Sequence, residues 1–67
     1  MKFRTDEWVW YCQFPDMKSL QDKKVRSVVL AVLADDPIYD YRICLDDGSR
    51  KIINVREKHL EVLNEDA

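Results

Sequence analysis

The segment Tyr39-Asp-Tyr-Arg-Ile-Cys-Leu-Asp-Asp-Gly48 constrains the fold more than any other. Tyr39, Tyr41, Ile43 and Leu45 fall on one side of an extended chain, and Asp40, Arg42 and Cys44 on the other. This period-two alternation is that of a strand with one face buried. Asp47-Gly48 follows at once, and Gly48 is the only glycine of the chain. Glycine tolerates the positive φ that a hairpin turn demands. Beyond it come a second short apolar stretch up to Val55, a charged step Arg56-Glu-Lys-His59, and the apolar Leu60 to Leu63.

The same reading extends backwards. Glu7 to Phe14 reads as a first strand, with Trp8, Trp10, Cys12 and Phe14 on one side and Val9, Tyr11 and Gln13 on the other. Pro15-Asp16 ends it. Residues 15–24 form a polar connection, anchored by Met17 and Leu20, in which a short helical turn is an alternative reading. Val25 to Ala34 is apolar on both parities and rich in β-branched valine, which favours strand over helix. Such a strand is either covered on both faces or bent at a bulge that changes its inward side. Tyr39 to Leu45 is the third strand, Asp46 to Ser49 the turn, Arg50 to Val55 the fourth strand, and Leu60 to Leu63 the fifth. Arg56 to His59 suits a single 3₁₀ turn. Residues 1–6 are expected to be a frayed lead-in from which Phe3 packs, and Asn64 to Ala67 a polar tail.

With 67 residues, the chain is expected to be one domain, residues 1–67, with its core over about 7–63. Of its residues, 46% are hydrophobic and 36% charged, which excludes general disorder. Its longest apolar run, Val28 to Ala34, falls far short of the roughly 20 residues that span a bilayer, so no membrane role is expected. Met1 to Glu7 lacks the apolar stretch of an export signal, and a cytoplasmic setting is expected. Cys12 and Cys44 are far apart, without a CxxC pair or a nearby histidine, and read as small core residues. No metal or other cofactor is expected.

An apolar second strand, the loop Asp35 to Ile38, the alternating Tyr39 to Leu45, the distal Asp47-Gly48, and Val55 followed by Leu60-Glu-Val-Leu63 together carry a resemblance. Over Val25 to Leu63 the chain resembles an SH3-like small barrel of the Tudor-like and KOW-like branch. The resemblance implies an all-β, five-stranded SH3-like (Tudor-like) barrel with one 3₁₀ turn before the last strand. Many members open on a glycine-containing turn, where this chain has Thr5-Asp6-Glu7.

Catalytic chemistry finds little support. His59 is the only histidine and reads as a solvated turn residue. No nucleophile elbow or phosphate-cradling glycine loop is present. Asp35-Asp36 and Asp46-Asp47 fall in turns, where Asp is favoured for its bonds to the backbone. The chain is therefore expected not to be an enzyme.

The aromatics say more. Trp8, Trp10, Tyr11, Tyr39, Tyr41, Phe3 and Phe14 are seven large rings, more than a narrow barrel holds inside. The expected function is that of a small non-catalytic binding module. It docks a protein partner, or a second copy of itself, through Trp8, Trp10, Tyr11, Tyr39 and Tyr41, with Asp40 and Arg42 at the rim. The Tudor-like resemblance implies a narrower version: Tyr39 or Tyr41 with Trp8 or Trp10, and Asp40 as the carboxylate, caging a methylated Lys or Arg. The alternative is a nucleic-acid-binding barrel using a basic face of Arg42, Arg50, Lys51, Arg56 and Lys58. The net charge of −2 and pI of about 5.2 weigh against it.

Overall fold

The structure, a computed structural model, describes residues 2–20 (Leu20 by its backbone) and 23–63. The Leu20 anchor and the polar tail expected at 64–67 lie outside the described residues.

The fold is all-β. Its strands are β1 (Trp8–Cys12), β2 (Lys24–Val32), β3 (Tyr41–Leu45), β4 (Ile52–Val55) and β5 (Leu60–Val62). A first 3₁₀ turn, Lys18–Leu20, sits in the β1–β2 connection, and a second, Glu57–His59, links β4 to β5. All pairings are antiparallel, and the five strands form one sheet in the order β4-β3-β2-β1-β5. Among the described residues no ladder joins β4 to β5. The sheet is open where a closed barrel is expected from the sequence.

Alternation sorts the side chains into two faces. On the inner face Val9, Val29, Tyr41 and Ile43 are fully buried, and Phe3, Leu45, Val55 and Leu60 nearly so. Tyr11, Val25, Val32 and Ile53 pack against this cluster from its margin. β2 reaches the core with Val25 and Val29 before the bulge and Val32 after it. The register with β3 slips between Val29 and Ala31, leaving Leu30 as the additional residue. That slip exchanges the inward parity, which explains why both parities of β2 are apolar.

The lead-in is fastened rather than frayed. Phe3 meets Tyr41 edge-on, with ring centroids 5.6 Å apart. The backbone N–H groups of Lys2 and Phe3 donate to the Tyr41 hydroxyl at 2.9 and 3.0 Å. That hydroxyl donates to Glu57 Oε1 at 2.9 Å. Asp6 adopts φ +71, in the left-handed region that non-glycine residues visit only singly. Asp6 N–H then donates to the Val29 carbonyl, and Val29 N–H to the Glu7 carbonyl.

The distal turn is longer than the sequence suggests. Gly48 has φ +91 as expected, but Arg50 also lies at φ +52, so β4 begins only at Ile52. Asp47 Oδ1 accepts from the backbone and hydroxyl of Ser49, which holds the Asp47 carboxyl below its usual range. Asp36 Oδ1 likewise accepts from the Tyr39 and Ile38 N–H groups, with the same effect. Asp36 and Asp47 are thus used as turn residues.

Candidate docking face

The outer face of the sheet is not polar. Register places Trp8 beside Val28, Val28 beside Cys44, and Cys44 beside Ile52, so one apolar row crosses four strands. At about 4.8 Å per strand the row runs roughly 14 Å. Trp8 is 40% exposed and Ile52 59%, while Val28 and Cys44 are half-buried between them. Leu30, pushed out by the bulge, adds to its flank at 37% exposure.

Polar rows bound this strip on both sides. On one side Glu61 pairs with Trp10 and Trp10 with Arg26, and Lys24 forms an ion pair with Glu61. On the other, Ala31 pairs with Arg42 and Arg42 with Asn54, whose side-chain oxygen accepts from Arg42 Nε at 3.1 Å. The Arg26 guanidinium lies 4.5 Å above the Trp8 ring. This cation–π contact braces the indole.

The aromatic residues singled out from the sequence do not converge. Trp8 and Trp10 share the outer face. Tyr41 is sealed in the core, its hydroxyl saturated by the lead-in and Glu57, and burial pushes its pKa up. Tyr11 belongs to the inner parity, and burial raises its pKa too. Tyr39 lies just before β3, in the Asp36 turn. Asp40 is not at a rim: its Oδ2 accepts from Glu57 N–H at 2.8 Å and so holds the second 3₁₀ turn. The expected grouping of seven reduces to Trp8 and Trp10, with Arg42 at the edge. A cage needing Tyr39 or Tyr41 over Trp8 or Trp10 is not formed, because Tyr41 points into the core and Tyr39 lines a separate cleft.

That cleft, of about 280 Å³, lies at the end of β4, where the chain enters the second 3₁₀ turn. Tyr11, Tyr39 and Ile38 line it together with Asn54, Arg56, Lys58 and His59. His59 is half-buried rather than solvated: its ring sits 6.1 Å from that of Tyr11, and Nδ1 lies 3.0 Å from the Cys12 carbonyl. Since a carbonyl can only accept, Nδ1 carries the proton.

The basic residues divide. Arg50 and Lys51 lie in the distal turn beside Asp46 and Asp47, while Arg56 and Lys58 lie past the other end of β4. Arg42 is in between and bonded to Asn54. Cys44 also departs from expectation, because it sits in the outer row rather than the core; Cys12 is buried, and neither forms a disulfide. Among the described residues no group of His, Cys, Asp or Glu could hold a metal ion, and no helix is long and apolar enough to cross a membrane.

Val28, Cys44 and Ile52 were missed as a surface because each reads as ordinary strand filling. Their alignment depends on register between strands, which one strand's pattern does not carry. Compared with protein-family models, curated proteins and solved structures, the chain gives no significant match.

Proposed function

We propose that this chain is a non-catalytic docking module that binds a protein partner through the outer face of its sheet. The observation that carries this reading is the row Trp8–Val28–Cys44–Ile52, apolar across four strands and framed by Arg26 and Glu61 on one side and Arg42 and Asn54 on the other. An apolar centre within a polar rim is the anatomy of a protein interface. Trp and Arg are the residues that most often dominate binding energy there. Trp8 braced by Arg26 loses little freedom when a partner covers it.

The order β4-β3-β2-β1-β5, with a 3₁₀ turn between the last two strands, supports an SH3-like, Tudor-like parentage for the sheet. Such folds host many unrelated functions, so the functional weight rests on the face itself. Two cysteines that form no disulfide fit a cytoplasmic setting. The split of Arg50 and Lys51 from Arg56 and Lys58, with carboxylates at the distal turn, disfavours a continuous phosphate-binding strip.

The test is affinity capture of the tagged chain from a lysate of its own cells after nuclease treatment, beside a Trp8→Ala variant with native circular dichroism. A protein held by the parent chain and lost in the variant supports the reading. Capture that disappears with nuclease overturns it in favour of nucleic acid. A captured species that is the chain itself, with a dimer mass in light scattering, reassigns the face to self-association.

A further inference from the structure

From the charge and shape of the cleft at the end of β4, we propose a second binding site there, for an extended acidic segment of a protein in which an apolar side chain is flanked by carboxylates. None of its lining residues belongs to the Trp8 row, and of the residues that frame that row only Asn54 lines the cleft.

The lining mixes apolar and aromatic side chains with polar and cationic ones. Tyr11, Tyr39 and Ile38 supply apolar walls, and Arg56 and Lys58 supply positive charge, with no carboxylate among the lining residues. Among the described residues, several acidic groups around the cleft are already engaged. Asp36 takes the Ile38 and Tyr39 N–H groups, Asp40 the Glu57 N–H, and Glu57 the Tyr41 hydroxyl. Asp16 is 3.6 Å from Lys58 Nζ, in an exposed pair that a bound carboxylate can displace at small cost. Arg56 is held in place because its Nε donates to the Ile38 carbonyl at 3.2 Å. A guanidinium fixed through Nε still offers its terminal amines to a carboxylate. The His59 tautomer leaves Nε2 as a hydrogen-bond acceptor when neutral and a donor when protonated.

A volume of about 280 Å³ takes one side chain and its neighbours rather than a folded domain. Aromatic walls with cations also suit a stacked base with its phosphate. Two cations, one already paired, provide a weak electrostatic footprint in a chain of net charge −2, which favours the peptide.

The experiment is an amide NMR titration of the intact chain with a panel of capped pentapeptides, each carrying one aromatic or aliphatic residue between aspartates. Lysine-for-aspartate counterparts and oligothymidine complete the panel. Shifts should centre on Ile38, Tyr39, Arg56 and His59 with the acidic peptides alone. Arg56→Gln should weaken binding about tenfold, the loss of one charge-assisted hydrogen bond. Arg4→Gln, which removes equal charge from the lead-in turn, should leave it unchanged. No shifts at these residues with any acidic peptide, equal response to the lysine peptides, or equal loss in both variants would overturn the proposal. Preference for oligothymidine would replace the peptide with nucleic acid.

Discussion

The two faces of this sheet are built from the same strands and both carry aligned apolar side chains, yet only one is sealed. Inward, Val9, Val29, Tyr41 and Ile43 have no exposure at all. Outward, Trp8, Val28, Cys44 and Ile52 line up just as regularly, but Trp8 and Ile52 remain open to solvent. Regular alignment alone therefore does not distinguish a core from an interface. The distinguishing feature is what lies over the row. The lead-in folds Phe3 across the inner face, and Tyr41, Glu57 and Asp40 fasten it there. Among the described residues the outer face has no such cover.

Four variants sharpen this contrast. Phe3→Ala should remove about 3–5 kcal/mol, the cost of an aromatic-sized cavity. A domain of this length has only about 3–10 kcal/mol in all, so urea unfolding should show a chain near its stability limit. If the midpoint barely moves, the lead-in is not part of the core.

Tyr41→Phe should cost about 1–3 kcal/mol, since two backbone donors and the Glu57 carboxylate lose their shared partner. The raised Tyr41 pKa gives this contact a pH signature. The neutral phenol is favoured in the folded state, so its contribution is complete below the ordinary value of 10.0 and is lost as pH rises through the higher folded value. Alkaline unfolding of the parent should thus be steeper than that of the variant.

Trp8→Ala should cost less, about 1–2 kcal/mol, because the residue is 40% exposed and gives up its contact with Arg26 together with part of its apolar burial. A loss as large as that of Phe3→Ala would make the outer row a second core.

The smallest effect belongs to the turns. Asp36 and Asp47 have lowered pKa values, so their contribution is present above the ordinary 3.8 and is lost as pH falls through the folded values. Asp36→Asn combined with Asp47→Asn should lower stability slightly near neutrality, where the parent's carboxylates contribute, and flatten the acid limb, so that the two profiles converge below about pH 4.

Much of this fold was legible in the sequence because it was written locally. Tyr41 to Leu45 alternates cleanly, Gly48 marks the distal turn, and the double parity of β2 signals a change of face, here at Leu30. The face of β1 was harder. Trp8 and Trp10 on one parity and Val9 and Tyr11 on the other are all apolar, and hydrophobicity alone does not choose between them. The sheet chose the smaller set for its core. Tyr39 and Tyr41 share a parity, yet the Asp36 turn ends the extended run between them, sending Tyr39 to the cleft. Asp6 and Arg50 adopt left-handed conformations that their residue types do not announce. The outer row needed the register of four strands at once, and the cleft needed the chain to fold back at the second 3₁₀ turn. Neither is a property of any single segment.

The central claim is that the outer row is dispensable for folding and required for docking. Ile52→Lys tests it most directly, because Ile52 is the most exposed member of the row and lies on an edge strand, where lysine is tolerated. Nuclease-treated lysate capture should fail with this variant while its urea midpoint stays within about 1 kcal/mol of the parent. Undiminished capture by a folded Ile52→Lys chain would contradict the claim, as would a midpoint that collapses like that of a core substitution.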